Sequence, residues 1–68
     1  MLRFIQYTNK DGRKVLVNLN QVDKIVDDNK CIYLYLKDEV LKLPISYTTL
    51  ISFLEKGDKT ILTGGCEI

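Results

Sequence analysis

The 68-residue chain contains no histidine, no tryptophan, one proline and two cysteines. Without histidine, the commonest general base, the Ser-His and Cys-His nucleophile pairs and most catalytic zinc sites are excluded together. Cys31 and Cys66 are too few for a disulfide framework or a four-thiolate zinc site. Both are expected as reduced thiols, with a bridge between them as the alternative in an exported protein. Neither sign of charge dominates: ten Lys and Arg stand against nine Asp and Glu, a net charge of +1. No global field therefore draws the protein to nucleic acid or to an anionic membrane, and any such binding needs a local patch. Long hydrophobic runs are also missing. The opening Met1-Leu2-Arg3-Phe4-Ile5-Gln6 turns polar before a signal sequence can build, and no run approaches the roughly 18 residues of a membrane span. A cytoplasmic protein without membrane attachment is the expectation.

The remaining chemistry-bearing residues form no recognisable site. Asp27-Asp28, Asp38-Glu39, Glu55 and Glu67 fall in predicted turns, on a helix surface or in the tail, where carboxylates serve as solvated charge. Asp27-x-Asn29 lacks the glycine and the closing glutamate of a calcium loop. Gly64-Gly65 lacks the preceding strand and following helix of a phosphate cradle. Neither enzymatic activity, nor a cofactor or metal, nor a small-molecule substrate is expected.

What is present is a globular pattern, 46% hydrophobic and 28% charged. A chain this short buries about 60% of its unfolded surface and has one thin core. Residues 2–8 read as a strand running into the Asp11-Gly12 turn, and Lys14 to Asn18 completes a hairpin. Leu19-Asn20-Gln21 forms a short corner before a third strand, Val22 to Val26, and a polar turn from Asp27 to Lys30. The clearest alternation follows, with Ile32, Leu34 and Leu36 on one face and Cys31, Tyr33, Tyr35 and Lys37 on the other. Val40 to Ile45 gives a further strand, in which Pro44 marks an edge or an end because it cannot donate to a ladder. Ser46 is a helix N-cap, Tyr47, Leu50, Ile51 and Leu54 recur as one helix face, and Gly57 is the left-handed stop. Thr60 to Thr63 offers a short extra strand, and the last four residues are expected to be loose.

The expected fold is therefore α+β: an antiparallel four- or five-stranded sheet with one C-terminal helix packed on one face. Residues 1–57 form the single domain and 58–68 a tail. Strand parity assigns Leu2, Phe4, Val15, Val17, Ile25, Ile32, Leu34, Leu36, Leu41 and Leu43 to the helix-covered face. The opposite face would carry Ile5, Tyr7, Leu16, Cys31, Tyr33, Tyr35 and Val40, with Arg3, Lys14, Lys37 and Lys42.

Two resemblances bear on this pattern. Asp11-Gly12, Val17-Asn18, Val22 to Ile25, Ile32-Tyr33-Leu34, Lys37-Asp38 and Ser46 follow the order of features in the small FlbD-like flagellar or phage-type domains, a hairpin and strands closed by a helix. Val17-Asn18-Leu19 and Pro44-Ile45-Ser46 are similar to the C-terminal half of LytTR DNA-binding domains. Tyr47 stands where that family places an arginine, which leaves Asn18 as the DNA contact the resemblance implies.

The open face sets the functional expectations. Soluble monomers seldom leave a contiguous apolar and aromatic patch uncovered. The first expectation is an interaction module assembling with itself, as a homo-oligomer, or with a protein partner through Ile5, Tyr7, Leu16, Tyr33, Tyr35 and Val40. The alternative is nucleic-acid binding by Arg3, Lys14, Asn18, Lys37 and Lys42, whose charges interleave with base-stacking tyrosines.

Overall fold

Local turn chemistry places most of the elements. In the computed structural model, which describes residues 2–68, β1 (Phe4–Thr8) and β2 (Lys14–Asn18) form an antiparallel hairpin pairing Ile5 with Val17 and Tyr7 with Val15. The Asn9 side chain organises the connection, accepting from the N–H groups of Asp11 and Arg13 at 3.0 and 2.9 Å, while Gly12 takes φ 82°. Leu19–Gln21 is one 3₁₀ turn, capped by the Asn18 side chain accepting from the Asn20 N–H. A second hairpin joins β3 (Lys24–Asp28) to β4 (Cys31–Tyr35) through Asn29 and Lys30, with Asn29 at φ 62°. Asparagine tolerates that left-handed conformation better than most residues. β5 (Val40–Leu43) pairs antiparallel with β4 and stops before Pro44, as the missing N–H requires.

Helix α1 (Tyr47–Lys56) has the limits expected from sequence. The Ser46 hydroxyl accepts from the Thr49 N–H at 3.1 Å, and Gly57 closes the helix at φ 71°. Its buried face is the expected one only in part. Leu50 and Phe53 enter the core, whereas Tyr47 and Leu54 remain more than a third exposed.

The expected single sheet is corrected to two three-stranded sheets, ordered β2-β1-β6 and β3-β4-β5. The tail supplies the missing wall: β6 (Ile61–Cys66) runs parallel to β1, pairing Phe4 with Ile61 and Ile5 with Leu62. Gly64 is buried because a Cβ there would lie 2.9 Å from Ile45 Cδ1, 3.1 Å from Ile5 Cγ2 and 3.3 Å from the Gln6 carbonyl oxygen. The ladder slips beside it, between Gln6 and Thr8, where Gly65 takes φ 72°. Gly64-Gly65 is thus a bulge fitted to a tight passage. The last residues are tied rather than loose, since the Glu67 N–H donates to Thr8 O at 2.7 Å and the Ile68 N–H donates to Lys42 O at 3.0 Å. That last bond bridges the two sheets.

Both sheets and the helix share one core: Ile5, Tyr7 and Val17 from the first sheet, Ile32, Leu34, Leu41 and Leu43 from the second, with Ile45, Leu50 and Phe53. Val15, Ile25, Leu36 and Leu62 pack partly buried against it. The parity expected for β2 and β5 holds, as does that of β4 from Ile32 to Leu36, although Cys31, expected on the open face, is buried; that of β1 is reversed: Ile5 and Tyr7 point inward, Phe4 is half-buried and Leu2 is exposed. β1 lies between two strands, and its inner residues are those facing Val17 and Leu62.

Leu34 is fully buried in the central strand of its sheet. Leu34→Ala should cost about 2–5 kcal/mol in urea unfolding, from lost transfer energy and the cavity left behind. A cost under about 1 kcal/mol would contradict its place in the core. Gly64→Ala should cost roughly 1–3 kcal/mol, because the added methyl meets the stiff Ile5 branch and a backbone oxygen as well as Ile45. Equal denaturation midpoints for that variant and the wild type would show that the passage can widen freely.

Candidate functional site

β4 is flanked on both sides, so its outward side chains sit in cross-strand rows. The register aligns Val26, Tyr33 and Lys42 in one row and Lys24, Tyr35 and Val40 in the next. In each row a lysine lies over the tyrosine ring: Lys42 Nζ is 5.6 Å from the Tyr33 centroid and Lys24 Nζ is 4.6 Å from that of Tyr35. Such cation–π contacts contribute about 0.5–1 kcal/mol each at exposed positions. Both rings are half-buried, while Val26 and Val40 are 40% and 49% exposed. The result is a patch with an aromatic centre, aliphatic flanks and two mobile-stemmed cations, a composition typical of interface cores with a polar rim.

The expected interface residues divide among three places. Tyr33, Tyr35 and Val40 lie together on this outer face. Leu16 is 50% exposed, but on the outer face of the other sheet, near Phe4 and Ile61. Ile5 and Tyr7 are corrected to the core, at 0% and 6% exposure. Val26 and Lys24 belong to the patch but were not among the expected contact residues, because only the β3–β4 register sets them beside the tyrosines.

The nucleic-acid candidates do not gather on one surface. Arg3 follows the reversed parity of β1 and turns inward to α1. Its guanidinium donates to the Phe53 and Leu54 carbonyls at 2.9 and 2.8 Å and lies 5.5 Å from the Phe53 ring centroid. It therefore satisfies carbonyls that the end of a helix leaves without partners, and it complements the helix dipole. The Asn18 side chain is engaged in capping the 3₁₀ turn. Lys14 is exposed on β2, Lys37 follows β4, and Lys42 covers Tyr33.

Other features carry less. An open groove of about 570 Å³ lies beside β3, lined by Arg3, Val22, Lys24, Ile25, Tyr47 and Leu54 among others. Cys31 is buried, with its Sγ 3.6 Å from Asp28 O, and Cys66 is exposed; both are free thiols. Among the described residues no helix is long and apolar enough to cross a membrane. No family model matches the chain, nor does any curated protein or solved structure.

The Tyr7 phenol is shifted upward by its surroundings. Burial, then the charges of Glu67 and Glu39, hold its phenol above the ordinary value of 10.0. The folded state therefore keeps this proton to higher pH than the unfolded chain, so the contribution of Tyr7 to stability is fully present below about pH 10 and is lost as pH rises beyond it. Urea unfolding between about pH 8 and 11 should show an alkaline loss that is smaller in Tyr7→Phe. Parallel losses in the two proteins would exclude Tyr7 as the source.

Proposed function

We propose that this protein is a non-enzymatic interaction module whose working surface is the outer face of β3-β4-β5, used to assemble with itself or with a protein partner. The observation that carries this reading is the pair of adjacent tyrosine rows on the central strand, flanked by exposed Val26 and Val40. Aromatic rings fixed by their neighbours provide large contact area at little further entropy cost, and lysine stems can slide aside without unfolding anything. The absence of histidine supports the non-enzymatic reading.

A second reading, an accessory or regulatory nucleic-acid-binding protein of the kind the LytTR resemblance implies, draws on the same lysine–tyrosine pairs. It ranks lower because Arg3 and Asn18 are engaged within the fold and the remaining candidates are dispersed.

Light scattering after size exclusion discriminates these readings. The wild type should self-associate, and Tyr33→Ser with Tyr35→Ser should abolish the association made through this face, lowering the particle mass while leaving the helical circular dichroism intact. A wild type that stays monomeric at high concentration removes self-assembly and leaves the face to a foreign partner. A monomer that binds DNA, more weakly as salt rises, establishes the second reading instead. Unfolding of the double variant would place the tyrosines in the core and end the face argument.

A further inference from the structure

The edge of β3 carries a second kind of self-recognition, distinct from the tyrosine face. β3 pairs with β4 alone, and no other strand among the described residues covers its far edge. Which backbone groups face that edge follows from the hairpin. A two-residue connection between Asp28 and Cys31 makes that pair a hydrogen-bonded one, and alternation makes Val26 and Lys24 hydrogen-bonded to β4 as well. The Tyr35 carbonyl agrees, since it turns toward β3 and accepts from the Asp23 N–H at 2.8 Å. The N–H and C=O groups of Ile25 and Asp27 therefore point outward.

We propose that β3 pairs antiparallel with β3 of a second copy about a two-fold axis at Val26. In this register Lys24 faces Asp28 of the second copy, Asp28 faces its Lys24, and the two Val26 side chains meet on the axis. Ile25 and Asp27 of each copy exchange the outward backbone hydrogen bonds. Charge complementarity selects this register from its neighbours. A one-residue slip sets outward backbone groups against inward ones. An axis at Asp27 opposes two carboxylates, and an axis at Ile25 opposes Asp23 to Asp27. Lys24, Val26 and Asp28 are all exposed on the same side of the strand. Pairing thus makes a continuous six-stranded sheet, β5-β4-β3-β3-β4-β5, with the tyrosine rows of both copies on one face.

Sedimentation equilibrium of the whole chain tests this by charge reversal. Lys24→Glu opposes two acidic pairs and Asp28→Lys two basic pairs, so each variant alone should dimerise roughly tenfold more weakly than wild type or worse. Their equimolar mixture restores opposite charges at both contacts and should form a heterodimer, as should the double variant Lys24→Glu/Asp28→Lys with itself. Dichroism of each variant guards against misfolding. The Tyr33→Ser/Tyr35→Ser background separates edge from face: there the edge dimer persists and is lost on adding Lys24→Glu. A wild type that stays monomeric at about 1 mM overturns the proposal, as does a dimer indifferent to both charge reversals or a mixture that fails to associate.

Discussion

The parallel pairing of β6 with β1 holds the rest of this structure in place. A short chain has only one thin core, and here that core lies among two small sheets and one helix. Without β6, one flank of β1 would lack hydrogen-bond partners, and Leu62 would no longer cover the core beside Ile5. The pairing depends on a residue with no side chain. Gly64 lets Ile5 and Ile45 approach the same stretch of backbone, and Gly65 absorbs the slip in register that this close passage creates. The final N–H, on Ile68, then reaches Lys42 O and links the first sheet to the second.

Arg3 plays a comparable part at the other end of the molecule. Its position on the inner side of β1 brings a permanently charged fork to the last carbonyls of α1, which already end at Gly57. A residue that reads in isolation as a surface cation thus fastens the first strand to the helix. One reversal of strand parity accounts for the displacement of Arg3, Ile5 and Tyr7 together, because alternate residues of a strand share a face.

The surface offered to partners follows from the same arrangement. Because β4 is central in its sheet, Tyr33 and Tyr35 have neighbours on both sides, and the lysines over their rings come from different strands. Because β3 is peripheral, its opposite end charges and outward backbone groups lie at a boundary. Central face and peripheral edge are adjacent, so a contact made at one extends the other. Charged residues on edge strands commonly prevent indiscriminate pairing. The same charges can favour a single register when their order is self-complementary, as Lys24 and Asp28 are about Val26.

The sequence by itself determined features whose physics is local. The Asp11-Gly12 turn, the Ser46 cap, the Gly57 stop and the alternation from Cys31 to Tyr35 each depend on residues within a few positions of one another. Tertiary structure decided what local physics leaves degenerate. β1 is apolar on both sides, with Leu2 and Phe4 against Ile5 and Tyr7, so its parity waited on Val17 and on the distant Leu62. The helix has apolar residues around much of its circumference, and the core selected Leu50 and Phe53 over Tyr47 and Leu54. Two adjacent glycines resemble a flexible end until a partner strand supplies the crowding that only glycine tolerates. Lys24 and Val26 joined the tyrosine face through a register written in neither strand alone, because pairing energy belongs to two segments and is settled only when they meet.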